Sequence, residues 1–247
     1  MLAIFVFVIL YKFIKATSGA PVPTIRALPP LDAIKEAIGR AVEMGRPVHH
    51  SMGMSQLTSG ASETLVSAAV LEYVAGLTAN TGADLIVTIR HPEVLPVAQE
   101  IVRVAYVKAG KPEAYKPSMI RYLSSTQWSY VAGAMGIMQR EKVAANILIG
   151  SFAAESILLS EAGNRIGAMQ IGGGSGFGGN LAFLAVCCDY CLYADEMYAA
   201  RAYLTKDPIQ IAGISAQDIY KLFVLGLLII GLLLYRYTDW LYKILSI

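Results

Sequence analysis

The strongest constraint on this chain is an alternation, through its middle, of short apolar runs with helix-length segments. Residues 84–90 read DLIVTIR and residues 144–151 read AANILIGS. Such short runs, apolar through their centres, are what a strand covered on both faces requires. The pattern predicts strands at 47–52, 84–90, 119–123, 144–151, 166–171 and 189–194. Helices are predicted at 63–77 with Ser62 as cap, then at 93–109, 126–140, 154–162, near 181–187 and at 196–204. A further helix opens at Asp32 and ends at Gly45. Strands that alternate with helices imply crossover connections and a largely parallel sheet. The expected fold is α/β, a Rossmann-like doubly wound, mostly parallel sheet, with an N-terminal and a C-terminal transmembrane helix.

The terminal helices follow from composition. The chain has 247 residues, 55% of them hydrophobic and only 15% charged, against roughly 25% charged in an average soluble protein. The apolar excess sits at the ends. Residues 1–14 read MLAIFVFVILYKFI, and residues 222–235 read LFVLGLLIIGLLLY. Each run is shorter than the ~20 residues that cross a bilayer. Lys12 and Lys221 mark the membrane-interface side of the two runs. Arg236 and Trp240 mark the far end of the second, with Arg236 paired to Asp239 one turn on. The expected layout is an anchor at 1–15, a Pro-rich linker at 16–30, a domain at 31–212 and a spanning helix at 216–245. The first segment is expected to be an uncleaved anchor: it has no charged leading region, and Pro21 makes Ser18-Gly19-Ala20 a poor cleavage context. Lys12, Lys15 and Arg26 follow the first run, and Arg201, Lys206 and Lys221 precede the second. The positive-inside rule then places the domain in the cytoplasm, under a cell membrane that anchors both ends.

The formal net charge is +2 with no Lys/Arg run, so a nucleic-acid partner is not expected. Membrane lipid is the expected partner, together with further copies of the chain in a homo-oligomer or larger membrane complex. Short spans favour helix packing in an assembly, and 131–138 (VAGAMGIM) offers an outer helix with few charges. Cys187, Cys188 and Cys191 lie within five positions. With no nearby His and one ligand too few, they read as buried packing residues, and no metal is expected.

Ligands of open parallel sheets bind at the carboxyl ends of the strands, where the strand order reverses. With the usual order, His50, Ser51, Ser151 and Glu155 are the ligand-binding candidates around that crevice. Hydroxyls and helix N-termini of this kind suit an anionic small molecule, although loop Ser and Thr residues also simply cap helices. The stretch 172–179 (GGGSGFGG) contains a dinucleotide-type spacing, Gly174-x-Gly176-x-x-Gly179, with Asp195 and Glu196 at the end of the following strand. A flexible surface or subunit-packing loop is the preferred reading of this stretch and a bound nucleotide the alternative, so no cofactor is expected. A structural, self-assembling scaffold is the first expectation for function. A nucleotide- or anionic-metabolite-binding enzyme or sensor is the alternative.

One set of residues carries a family likeness. It comprises Ala33-Ile34, Glu36-Ala37, Gly39-Arg40-Ala41 and Glu43-Met44-Gly45-Arg46-Pro47-Val48, followed by Val97-Ala98-Gln99-Glu100. Gly136-Ile137-Met138, Arg140-Glu141-Lys142, Ala144-Ala145-Asn146 and Cys188-Asp189-Tyr190 complete it. Over residues 26–208 the chain resembles an uncharacterised domain family of prokaryotic membrane proteins. The resemblance implies a single membrane-associated domain, and it brings no activity and no catalytic residue. The glycine run and the cysteine doublet are not part of its pattern.

Overall fold

The structure is a computed structural model that describes residues 11–14, 17–18, 27–175 and 180–234. The chain divides into two compact units. One is Ala27–Leu204, and the other comprises Met1–Arg26 and Thr205–Ile247.

The first unit alternates strands and helices in the expected order. Helix α1 (Pro29–Met44) leads into β1 (Val48–Gly53), α2 (Ala61–Thr81), β2 (Leu85–Ile89) and α3 (Val94–Lys108). Two short turns, Pro112–Ala114 and Pro117–Met119, precede β3 (Ile120–Tyr122). Then follow α4 (Gln127–Glu141), β4 (Ala145–Ser151), α5 (Glu155–Arg165), β5 (Met169–Gly174), α6 (Asn180–Cys187), β6 (Tyr190–Tyr193) and α7 (Asp195–Thr205). The strands form one six-stranded sheet in the order β3-β2-β1-β4-β5-β6, and every pairing is parallel. This is the order of a Rossmann-like sheet, with its switch point between β1 and β4.

Side chains alternate across the sheet and split the core in two. Val48, Met52, Val87, Ile147 and Ile149 pack with residues of α1, α2 and α3 on one face. Leu148 packs with Tyr130, Val131 and Ala134 of α4, Leu159 of α5 and Leu184 of α6 on the other.

Several boundaries differ from the sequence reading, each for a local reason. The assigned linker ends early, because Pro29 and Pro30 open α1 as its first residues. Proline suits that position, where its missing N–H would have no helical partner. Helix α2 starts at Ala61 after Gly60, without a side-chain cap; the Ser62 hydroxyl donates to Glu63 Oε2 at 2.8 Å instead. Helix α5 runs through Gly163, which is buried against β5. The largest shift is β5. The glycines 172–174 lie inside the strand rather than in a loop after it. A Cβ on Gly172 would stand 2.9 Å from Cys188 Sγ and 3.3 Å from Leu184 Cβ, so the bare backbone is what lets α6 settle on the sheet.

In the second unit α8 covers Pro208–Leu234, starting eight residues before the predicted helix. Its 25-residue stretch Pro208–Leu232 is the one candidate among the described residues that is long and apolar enough to cross a membrane. At 1.5 Å per residue it extends ~37 Å, against ~30 Å of hydrocarbon. Lys12 lies in a helical stretch, and its Nζ donates to Ser215 Oγ at 3.2 Å. The rest of the proposed N-terminal span, Arg236, Trp240 and the Arg236–Asp239 pair lie outside the described residues.

Candidate functional site: a buried polar chain beneath the strand ends

The polar residues of β1 do not converge on one crevice. Adjacent residues on a strand face opposite ways, and the two histidines obey this. His49 and Ser51 face the α4 layer, while His50 faces α2, where its Nε2 lies 3.3 Å from Ser67 Oγ. All three are fully buried. The His50 Nδ1 atom has no partner.

On the α4 side a continuous hydrogen-bonded chain crosses four strands. Asn146 Nδ2 donates to Gln170 Oε1 at 2.9 Å. Its Oδ1 therefore turns to His49 and accepts from Nδ1–H at 2.7 Å. Burial, above all, pushes the His49 pKa down to about 4; the bond to Asn146 only partly offsets it, and the charge of Arg121 adds to it. His49 is thus neutral at physiological pH, and its bare Nε2 accepts from the Thr88 hydroxyl at 3.0 Å. Thr88 Oγ1 in turn accepts from the Tyr130 hydroxyl at 2.8 Å. Tyr130 accepts from Ser51 Oγ–H at 2.7 Å. One tautomer of one histidine sets the direction of every bond. At the far end Gln170 Nε2 points at the carbonyls of Ser160 and Cys187 and at Asn164 Oδ1, 2.8–3.0 Å away.

The parallel register builds this chain. His49 pairs with Asn146, and Asn146 with Gln170, so three strands each place one polar side chain in the same row. Ser51 pairs with Thr88 in the next row. Five of the six members, His49, Thr88, Tyr130, Asn146 and Gln170, are not among the ligand-binding candidates named from the sequence. For Thr88, Asn146 and Gln170 the signal is faint: a single polar residue interrupts an apolar run at a position that the register aligns.

The carboxyl ends of the strands are crowded with the chain's own groups. Glu155 is fully buried at the start of α5. One of its oxygens accepts from Ala153 N–H and the other from Gln127 Nε2, which ties α5 to α4. Ser151 ends β4 beside Gly53, and Met54 N–H donates to its carbonyl at 2.7 Å. Gly53 has φ +82°, and a Cβ there would stand 2.7 Å from Ser151 O; the two central strands touch backbone to backbone at the switch point. At the start of α2, where a dinucleotide fold receives phosphate, stands Glu63. Its Oε1 accepts from Tyr198 OH at 3.1 Å. Burial raises its pKa, but hydrogen bonds from Ser62, its own backbone, Tyr198 and Ser175 outweigh that and hold the carboxyl below its usual range. Arg90 is turned to the carbonyls of Ser125 and Met54, each at 3.2 Å.

The structure thus places His50 away from the crevice and Ser51 in the buried chain. Ser151 and Glu155 lie at the strand ends, with the Glu155 oxygens engaged within the domain. Gly174 is the last residue of β5, one strand beyond the switch point, and Gly176 lies outside the described residues. Asp195 and Glu196 open α7 rather than ending β6. The cysteines are free thiols. Burial raises the Cys191 pKa to about 11, with Glu196 adding to it, and raises that of Cys188 further.

A family model of a domain of unknown function matches residues 1–244. The chain belongs to the DUF6754 family. No curated protein and no solved structure matches it. For this DUF6754 chain the chemistry therefore has to be argued from its own residues. The buried chain joins β1, β2, β4 and β5 to α4 and α5, and its donors and acceptors are matched to one another rather than turned outward.

Proposed function

We propose that this DUF6754 chain is a membrane-anchored α/β domain, on the cytoplasmic side of a cell membrane, that works as a self-assembling scaffold. The observation that carries the anchoring is α8, whose apolar Pro208–Leu232 stretch follows the α/β domain after only Lys206 and Asp207. The scaffold reading draws on the strand ends. Glu155 is engaged by Gln127 and Ala153, Ser51 by Tyr130, and Arg90 by two carbonyls. A phosphate arriving at the α2 N-terminus would meet the Glu63 carboxylate, and like charges repel there. The self-assembly reading draws on the outer surfaces of the helices. Helices α2 and α3 carry ion pairs such as Lys108–Glu72 and Arg103–Glu100, whereas α6 has no charged residue.

The test is alkaline extraction of membranes from cells making the full chain, together with thermal-shift screening of the purified protein against nucleotides. The scaffold reading expects the chain to stay in the membrane pellet, to leave it when 208–247 are deleted, and to show no nucleotide shift. Release of the full chain by alkali would overturn the anchoring. A reproducible nucleotide-dependent shift would favour the alternative, a nucleotide- or anion-binding enzyme or sensor.

A further inference from the structure

We propose that the N-terminal helical stretch around Lys12 docks antiparallel on the Ala212–Ala216 face of α8, so that both ends of the chain form one two-helix anchor with Lys12 and Ser215 at the crossing. This deepens the anchoring reading and rests on it.

Helix α8 carries two kinds of surface. Large apolar side chains stand open along it, with Leu222 69%, Leu228 66% and Leu232 78% exposed; this is surface for lipid tails to cover. Ala212 and Ala216, near its start, are only 3% and 0% exposed. That burial arises within the single chain, so the chain itself covers them. The two alanines stand four positions apart, the small-xxx-small spacing that lets helix backbones approach closely. Ser215 shares their face, since the three residues fall within an arc of about 100°.

Lys12 arrives on this face, where its Nζ donates to Ser215 Oγ at 3.2 Å. Tyr11–Ile14 is helical. Of these four residues Lys12 is the half-buried one, while Tyr11, Phe13 and Ile14 are exposed. The stretch is thus turned with its lysine toward α8. Both segments also belong to the same compact unit, Met1–Arg26 with Thr205–Ile247. A cation in an apolar segment needs a polar partner, and Ser215 supplies one.

Direction follows from where the apolar residues lie. Residues 1–10 precede Lys12, and residues 222–234 follow Ser215. One bilayer receives both runs from a shared contact only if the two segments run antiparallel.

The experiment uses the full chain in membranes and keeps Lys12. Ser215→Cys is treated with a short amine-to-thiol linker, and the 12–215 peptide pair is read by mass spectrometry. A denaturing gel tells a link within one chain from a link between two. Gln217→Cys is the control, because its side chain is turned about 160° away from position 215. The expected result is a 12–215 link within one chain, in large excess over 12–217. Adding Ala216→Leu overfills the buried face and is expected to lower the yield of the link about tenfold. Adding Gln217→Leu, on the exposed face, is expected to leave it unchanged. Equal yields at 215 and 217, a link found only between two chains, or a link indifferent to Ala216→Leu would each overturn the docking. Alkaline extraction of the same membranes reads the anchoring separately. Linked chains released by alkali would sink the anchoring reading and, with it, the two-helix anchor, while the helix pair itself would stand. Chains retained without the link would leave the anchoring to α8 and overturn the pair.

Discussion

His49 Nδ1 donates across the β1–β4 boundary to Asn146 Oδ1, 2.7 Å away, and this bond fixes the orientation of every polar group from Ser51 to Gln170. It sits at the topological centre of the sheet, beneath the switch point. Replacing either residue leaves the facing atom of the other, His49 Nδ1 or Asn146 Oδ1, buried without its partner. Asn146→Leu should therefore lower stability by about 1–3 kcal/mol for each polar group left unpaired. A double-mutant cycle with His49→Leu should show a coupling of about 0.5–3 kcal/mol. Additive losses in thermal or urea unfolding would mean that the two side chains do not act together.

The same burial makes the fold sensitive to acid. In the unfolded chain both histidines titrate near 6.5. In the folded chain the pKa of His49 falls to about 4, and that of His50 to about 3 through burial and the neighbouring His49. Between those limits the unfolded state binds more protons, so stability rises with pH and is lost on acidification. Each histidine should contribute a slope of about 1.4 kcal/mol per pH unit below 6.5. Urea unfolding at pH 7 and pH 5 checks this, and His50→Gln should remove about half of the dependence on these two groups. A flat profile between those pH values would contradict the burial of both rings.

Gly163 tests how closely α5 approaches the polar chain. A Cβ there would overlap Gln170 Oε1 and come within 3.0 Å of Asn146 Nδ2. Gly163→Ala, which usually favours a helix interior, should here destabilise by about 1–3 kcal/mol through overpacking. A gain in melting temperature would show that the site has room.

Cys191 and Cys188 should be poor nucleophiles. With a pKa near 11 for Cys191, only about one molecule in a thousand or fewer carries the thiolate at neutral pH, and the thiolate is the reactive form. Alkylation of both in the folded protein should be slow and should accelerate on unfolding. Rapid modification of the native chain would contradict their packing against β5 and α6.

Much of the architecture is legible in the sequence, because burial on both faces leaves continuous apolar runs such as those at β2 and β4. What misled was glycine. Gly172 and Gly173 suggest a loop, yet they form the strand surface on which Leu184 and Leu192 pack, a requirement set by another element. The polar chain was harder still. His49, Thr88, Asn146 and Gln170 lie on four separate strands, and only the parallel register aligns them. Glu155 was legible as a residue of the strand ends, but its partner Gln127 comes from a helix 28 positions earlier. Convergence of that kind is spatial and leaves no spacing to read.

The proposed role is that of one of several copies held together at a membrane. Its most direct test is the protein mass of the full chain in mild detergent, measured by light scattering with the detergent contribution subtracted. Self-assembly predicts a whole-number multiple of 26.6 kDa, of two or more. A single mass of 26.6 kDa across the accessible concentrations would contradict it.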